Sequence, residues 1–264
     1  MELNCLSILI YILVGFVAQI IDGALCMAYG VSSNTFLLSI GIPPAAASAS
    51  VHMAEVVTTG VSGIFHWRLG NIDKDLIKRL AIPGVIGGIV GAYLLTSLEG
   101  GVIKPFISAY LLIMGVIIIV KAFRNNNRER KITTHIAPLG LIGGFFDAIG
   151  GGGWGPIVTT TLVARGNNPR YSIGSVNFSE FFVTLAESIT FILTLSLAKY
   201  WLIILGLLVG GATAAPLAAS LTKKIPARVL MGLVGALIIA LSLRTIILSW
   251  PNILSLFAWM SSLI

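Results

Sequence analysis

The chain is a succession of apolar runs separated by short polar or basic turns. The runs fall at roughly 6–21, 27–40, 44–65, 77–97 and 103–123, then at roughly 135–149, 155–164, 170–197, 200–221 and 226–248. Most approach the ~20 residues a helix needs to cross a bilayer. They are continuous and not ten-residue alternations, so the pattern predicts helices and excludes a barrel. Segment 155–164 is far too short to span, and 135–149 is marginal. The first two segments of each half are read either as half-helices meeting inside the membrane or as tilted spans. The stretch 250–264, which holds "PNILSLFAWMSSLI", is also too short to span and suits the interface.

Composition turns this pattern into a class. Hydrophobic residues make up 56% of the 264 and charged residues only 10%, against about 25% charged in soluble domains. The expectation is an all-α polytopic integral membrane protein. The opening "MELNCLSILIYILVGF" has no basic region and no small-residue cleavage site, so it reads as a retained helix. Cys5 and Cys26 show no framework spacing and read as two buried thiols. The net charge of +7 sits in short loops without a basic tract, which argues against nucleic acid as a partner and reports orientation instead.

The sequence repeats with a shift of 125 residues. Asp22 falls on Asp147, Gly30 on Gly155, Gly41 on Gly166, Pro44 on Pro169, Ser50 on Ser175, Val51 on Val176 and Glu55 on Glu180. Five segments per half is an odd number, so the second half enters the membrane from the opposite side. This is the inverted-repeat plan of many transporters. Within a single membrane domain, 1–264, it divides the chain into a first repeat 1–123, a cytoplasmic linker 124–134 and a second repeat 135–249. Basic residues fit that plan. Arg68, Lys74, Lys78 and Arg79, then Arg124, Arg128, Arg130 and Lys131, then Arg165 and Arg170, then Lys223, Lys224 and Arg228 all fall on one side, read as cytoplasmic. Lys104, Lys199 and Arg244 fall on the other, and the N-terminus lies outside. The expected location is the cell membrane.

"FFDAIGGGGWGP", residues 145–156, interrupts an apolar run. Gly150, Gly151, Gly152 and Gly153 let the backbone turn and approach a ligand. Pro156 suits the first turn of a helix beginning just after them. The free N–H groups of that helix, with Trp154 and Gly155, would face the break and favour an anion. The competing reading is that the glycines serve close helix packing. The first half has the degraded form "IIDGALCMAYGVSSN", residues 20–34, in which Tyr29 matches Trp154. Ser32, Ser33 and Asn34 follow it, where the second half has Thr159, Thr160 and Thr161.

Acids inside apolar segments are costly and are functional candidates by default. Asp22 and Asp147 end the segment before each break. Each either holds a proton, next to the negative end of a helix, or caps the following helix as a carboxylate. The third segment of each half carries a stripe: His52, Glu55, Thr59 and Ser62 in one, Asn177, Glu180, Thr184 and Glu187 in the other. The +3, +4, +3 spacing is one helix face. Thr59, Ser62 and Thr184 read as a helix-joining polar seam, Glu55 and Glu180 as functional, and His52 as open between function and core. Glu187 has no acidic counterpart and is open to a place near the rim.

"GGFFDAIGGGGWGP" with the "GNNPRYSIGSVNFSE" that follows it, and the twin motifs "DGALCMAYG" and "GIPPAAASASVHMAE", resembles the sulfite exporter TauE/SafE family over essentially the whole chain. The glycine run is met at Gly150–Gly153 but not at 25–28. The resemblance implies a carrier of sulfite, thiosulfate, sulfonates or related anions, often proton-linked, with the break regions around Asp22 and Asp147 facing a shared central site.

The resulting expectation is a secondary transporter of small oxyanions. Backbone N–H groups around Gly151–Gly155 hold the anion, helped by Ser50, Ser175 or Thr159. Ser32, Asn34, His52 and Asn177 complete the candidate set, and Trp154 and Tyr29 wall or gate the cavity. Protons on Asp22, Asp147, Glu55 or Glu180 offset the anion's charge, and the halves rock to alternate access. Partners are the anion, protons and lipid, and the chain is compatible with a homo-oligomer. No cofactor or resident metal is expected. The rival reading is a divalent metal-ion transporter using Asp22, His52 and Glu55. A membrane enzyme ranks last, since His66 and His135 lie in or beside loops without a catalytic constellation.

Overall fold

The computed structural model describes residues 5–25, 29–123, 134–165, 167–221 and 235–248, with residues 229, 232 and 233. Most of linker 124–134, the basic residues Arg124, Arg128, Arg130, Lys131, Lys223, Lys224 and Arg228, Gly166, and the stretch 250–264 lie outside the described residues. Among the described residues there are helices and no strands.

The first half runs α1 (Cys5–Leu25), α2 (Tyr29–Ser39), α3 (Pro44–Arg68), α4 (Lys74–Ser97) and α5 (Gly100–Phe123). The second runs α6 (Ile136–Gly150), a π-helical turn (Gly155–Thr159) continuing into α7 (Thr160–Ala164), α8 (Pro169–Thr194), a 3-10 turn (Ala198–Tyr200), α9 (Trp201–Leu221) and α10 (Gly235–Leu248). The chain is an all-α membrane protein: α4, α5, most of α8 and the helical stretch Ala198–Ala215 are long and apolar enough to cross a bilayer. α3 matches them in length, and its serines, threonines and buried His52 and Glu55 make it less oily. Its Pro44 and the Pro169 of α8 both stand in the first helical turn, where a missing N–H costs nothing.

The predicted loops are shorter than drawn from sequence. Arg68 closes α3, and Lys74, Lys78 and Arg79 sit in the opening turns of α4, leaving 69–73 as the connection. Asp73 caps α4 by accepting hydrogen bonds from the N–H groups of Asp75 and Leu76.

Helix packing is reciprocal between the halves. α1 packs along α9 and α4 packs along α6, while α3 and α8 cross at the centre. Glycines permit these close approaches. A methyl group on Gly15 of α1 would strike the Leu207 backbone, and one on Gly140 of α6 would strike the Leu80 backbone. Gly211 lies under the ring of Tyr29, and Gly84 under the indole of Trp154. Gly15 and Gly140, and Tyr29 and Trp154, are pairs that the sequence repeat superposes.

Candidate functional site

Helix α6 stops at the glycine run. Gly151 takes φ 65°, the left-handed conformation of a helix C-cap, and its N–H donates to the Asp147 carbonyl, as does that of Gly152 at 3.1 Å. The chain re-enters a helix at Trp154. The Asp147 carboxylate bridges the gap: its Oδ1 accepts from the N–H of Gly153 at 2.6 Å and of Trp154 at 2.9 Å. This is an N-cap in which one buried oxygen satisfies two otherwise orphaned donors. Asp22 repeats it in the first half, its Oδ1 accepting from the N–H of Tyr29 at 3.2 Å. Of the two readings of these aspartates, the geometry is that of the cap. The two N–H groups expected to face an anion are, in this conformation, held by Asp147.

The second-half break meets α2 and α3 of the first half. The backbone of Gly152 lies against Gly30, Asn34 Nδ2 donates to the Gly150 carbonyl, and Ser48 Oγ donates to the Ala148 carbonyl at 2.5 Å. Between them lies a small cavity lined by four acids, Asp22, Glu55, Asp147 and Glu180, and by Gly30, Val31, Gly152, Gly155 and Pro156. Its open space is about 10 Å³, room for about one water. No lysine or arginine among the described residues is buried or lines this cavity, and His52 stands behind it.

His52 is fully buried and stacks on Phe191. Its Nδ1 lies 3.1 Å from Glu55 Oε2 and 3.2 Å from Glu187 Oε2, and its Nε2 lies 3.2 Å from the Asp147 carbonyl oxygen. Glu187 is not at the rim: it is 0% exposed and packs against Gly88 of α4. A glycine on α4 leaves the space that its carboxylate fills.

Other sequence candidates are placed differently. Trp154 and Tyr29 are anchored away from the cavity, the indole N–H donating to the Val176 carbonyl at 3.1 Å and the Tyr29 hydroxyl to the Leu207 carbonyl at 2.9 Å. Ser175 Oγ accepts from the Asp73 N–H at 2.8 Å, at the end of α4, and Ser50 Oγ donates to the Ala46 carbonyl. Ser32, Thr159 and Asn177 are buried without lining the cavity. Thr59 and Thr184 donate to the Glu55 and Glu180 carbonyls one turn back, so these bonds close within one helix and do not join two, unlike the expected seam. Sequence reasoning missed Tyr110 of α5, whose ring covers Gly150 and stacks on Phe146 at 5.3 Å. A lone tyrosine in an aliphatic span was its only signal.

A bundle of membrane-crossing helices, with a glycine-lined break between α6 and α7 that meets α2 around buried acids, is the architecture of a membrane transporter. The family profile "Sulfite exporter TauE/SafE" matches residues 11–245. The chain belongs to that family. It is 43% identical over 257 residues to the "Probable membrane transporter protein YtnM" of Bacillus subtilis (strain 168), covering 92% of this chain and 84% of that protein. No solved structure matches it.

Proposed function

We propose that the chain is a secondary transporter of small oxyanions of the sulfite, thiosulfate or sulfonate class, coupled to protons and working by alternating access between two inverted halves. The observation that carries this reading is the cavity between α2 and the second-half break, lined by Asp22 and Glu55 from one half and Asp147 and Glu180 from the other. The reciprocal packing of α1 on α9 and α4 on α6 supports a two-fold relation between the halves.

Four carboxylates repel an anion, so the charge must be removed before the anion enters. Protons on these acids do so. Asp147 adds a specific exchange: once protonated, its Oδ1 is a weaker acceptor for the Gly153 and Trp154 N–H groups. These two donors, at a helix start, then turn to the oxyanion. A cavity with room for one water is the closed form, and the breaks separate to admit substrate. The connection at 69–73, flanked by Arg68, Lys74, Lys78 and Arg79, and the one around Arg165 and Arg170 face the cytoplasm, with the N-terminus outside and the cell membrane as location. Asn34 then braces the second-half break, Trp154 and Tyr29 anchor the helix starts to the bundle, and the glycines and acids face the substrate.

Purified protein in proteoliposomes, loaded with sulfite or thiosulfate, tests the reading. The expected result is anion flux accelerated by an inward or outward proton gradient. Absence of flux for sulfite, thiosulfate and sulfonates alike, with flux of divalent cations instead, favours the metal-ion reading through Asp22, His52 and Glu55.

A further inference from the structure

One nitrogen of His52, one Asp147 carboxylate oxygen and one Glu187 carboxylate oxygen lie within 4.8 Å of one another, all three residues buried on α3, α6 and α8. Two independent features mark this cluster as a ligand set. Both Glu187 oxygens and Asp147 Oδ2 are shielded from solvent and make no hydrogen bond; Glu187 Oε2 approaches His52 Nδ1 without hydrogen-bond geometry. Second, the His52 Nε2 is turned to a backbone carbonyl, that of Asp147. Metal-binding histidines characteristically donate their other ring N–H to such an oxygen, which fixes the tautomer and frees the opposite nitrogen's lone pair.

That opposite nitrogen, Nδ1, faces Glu187 Oε2 at 3.2 Å and Glu55 Oε2 at 3.1 Å. Donor atoms at ~2.0–2.2 Å from one zinc ion in tetrahedral geometry stand roughly 3.3 Å apart, so these spacings need little change, and an Asp147 carboxylate oxygen lies within 4.8 Å of the other two donors. With His52 neutral, the buried carboxylates of Asp147, Glu187 and Glu55 face each other with no buried lysine or arginine among the described residues. A divalent cation removes most of that charge.

We propose that His52, Asp147 and Glu187 hold one divalent first-row metal ion, of the zinc class by its mixed imidazole and carboxylate donors, with Glu55 at its edge. The site adjoins the oxyanion cavity and shares Asp147 and Glu55 with its lining, while His52 and Glu187 lie behind it and do not line it.

The test is direct binding of Zn²⁺ alone to chelator-stripped protein in detergent, by calorimetry and by bound metal after desalting. The wild type is expected to retain about one ion, and Glu187→Gln and His52→Gln to lose affinity at least tenfold, while Glu180→Gln, altered at the cavity, keeps it. X-ray absorption on the loaded protein should show nitrogen and oxygen ligands only. No zinc bound by the monodisperse wild type, or equal binding in Glu187→Gln and His52→Gln, overturns the proposal. So does equal loss in Glu180→Gln. Because the readout is binding, it stands or falls independently of any anion flux.

Discussion

The Cα of Gly152 lies 2.7 Å from the position a methyl group on Gly30 would occupy. The second-half break therefore touches α2 through bare backbone, and any side chain at either glycine must push the two apart. Overpacking a tight interface costs about 1–3 kcal/mol. Gly30→Ala and Gly152→Ala should each lower the thermal midpoint in detergent by several degrees. Gly101→Ala serves as the comparison, since nothing lies within 4 Å of its added methyl; that substitution should be neutral or slightly stabilising.

Asp147 separates structure from charge. Its Oδ1 holds the Gly153 and Trp154 N–H groups. An asparagine at that position keeps an acceptor oxygen but cannot lose or gain a proton. Asp147→Asn should retain most of the stability and lose the pH response of anion flux. Asp147→Ala leaves two buried donors unpaired, at a cost of about 1–3 kcal/mol for each, and should reduce the folded yield as well. Equal thermal midpoints for the two variants would show that the cap carries no weight.

Glu55 and Glu180 face the same cavity from opposite halves. If protons on these acids admit the anion, flux through the wild type falls as pH rises and they ionise. Glu55→Gln with Glu180→Gln should raise flux at high pH relative to the wild type and flatten the profile. A double variant with an unchanged pH profile removes proton coupling at these positions.

Much of this was legible in the sequence because membrane segments announce themselves by oiliness and breaks by glycine. Segment 44–65 became Pro44–Arg68, 103–123 became Gly100–Phe123, and 135–149 became Ile136–Gly150, each end within a few residues of expectation. The +3, +4, +3 stripes did mark a buried face, apart from Ser62, which is half-buried. What the sequence could not show was where each polar group finds its partner. Hydroxyls such as Ser50 and Ser175 were taken by carbonyls or N–H groups one turn or one helix away. Asp147 consumed the very N–H groups assigned to the ligand. Glu187, without an acidic twin, lies at the centre because Gly88 on another helix makes room for it, and pairings of that kind are set by tertiary packing.

The reciprocal glycine contacts, Gly15 on Leu207 and Gly140 on Leu80, lead to a test of orientation. If the halves are inverted copies, the connection after α3 and the connection after α8 lie on opposite faces of the membrane, although α3 and α8 are equivalent in sequence. The first holds Ile72 and the second Leu197. In a background with Cys5 and Cys26 replaced by serine, Ile72→Cys should react with a membrane-impermeant maleimide only from the cytoplasmic side, and Leu197→Cys only from outside. Both positions lie in short, partly exposed turns. Labelling of both from the same side means that the two copies run in parallel, and the shared cavity would then need a different symmetry from the one proposed.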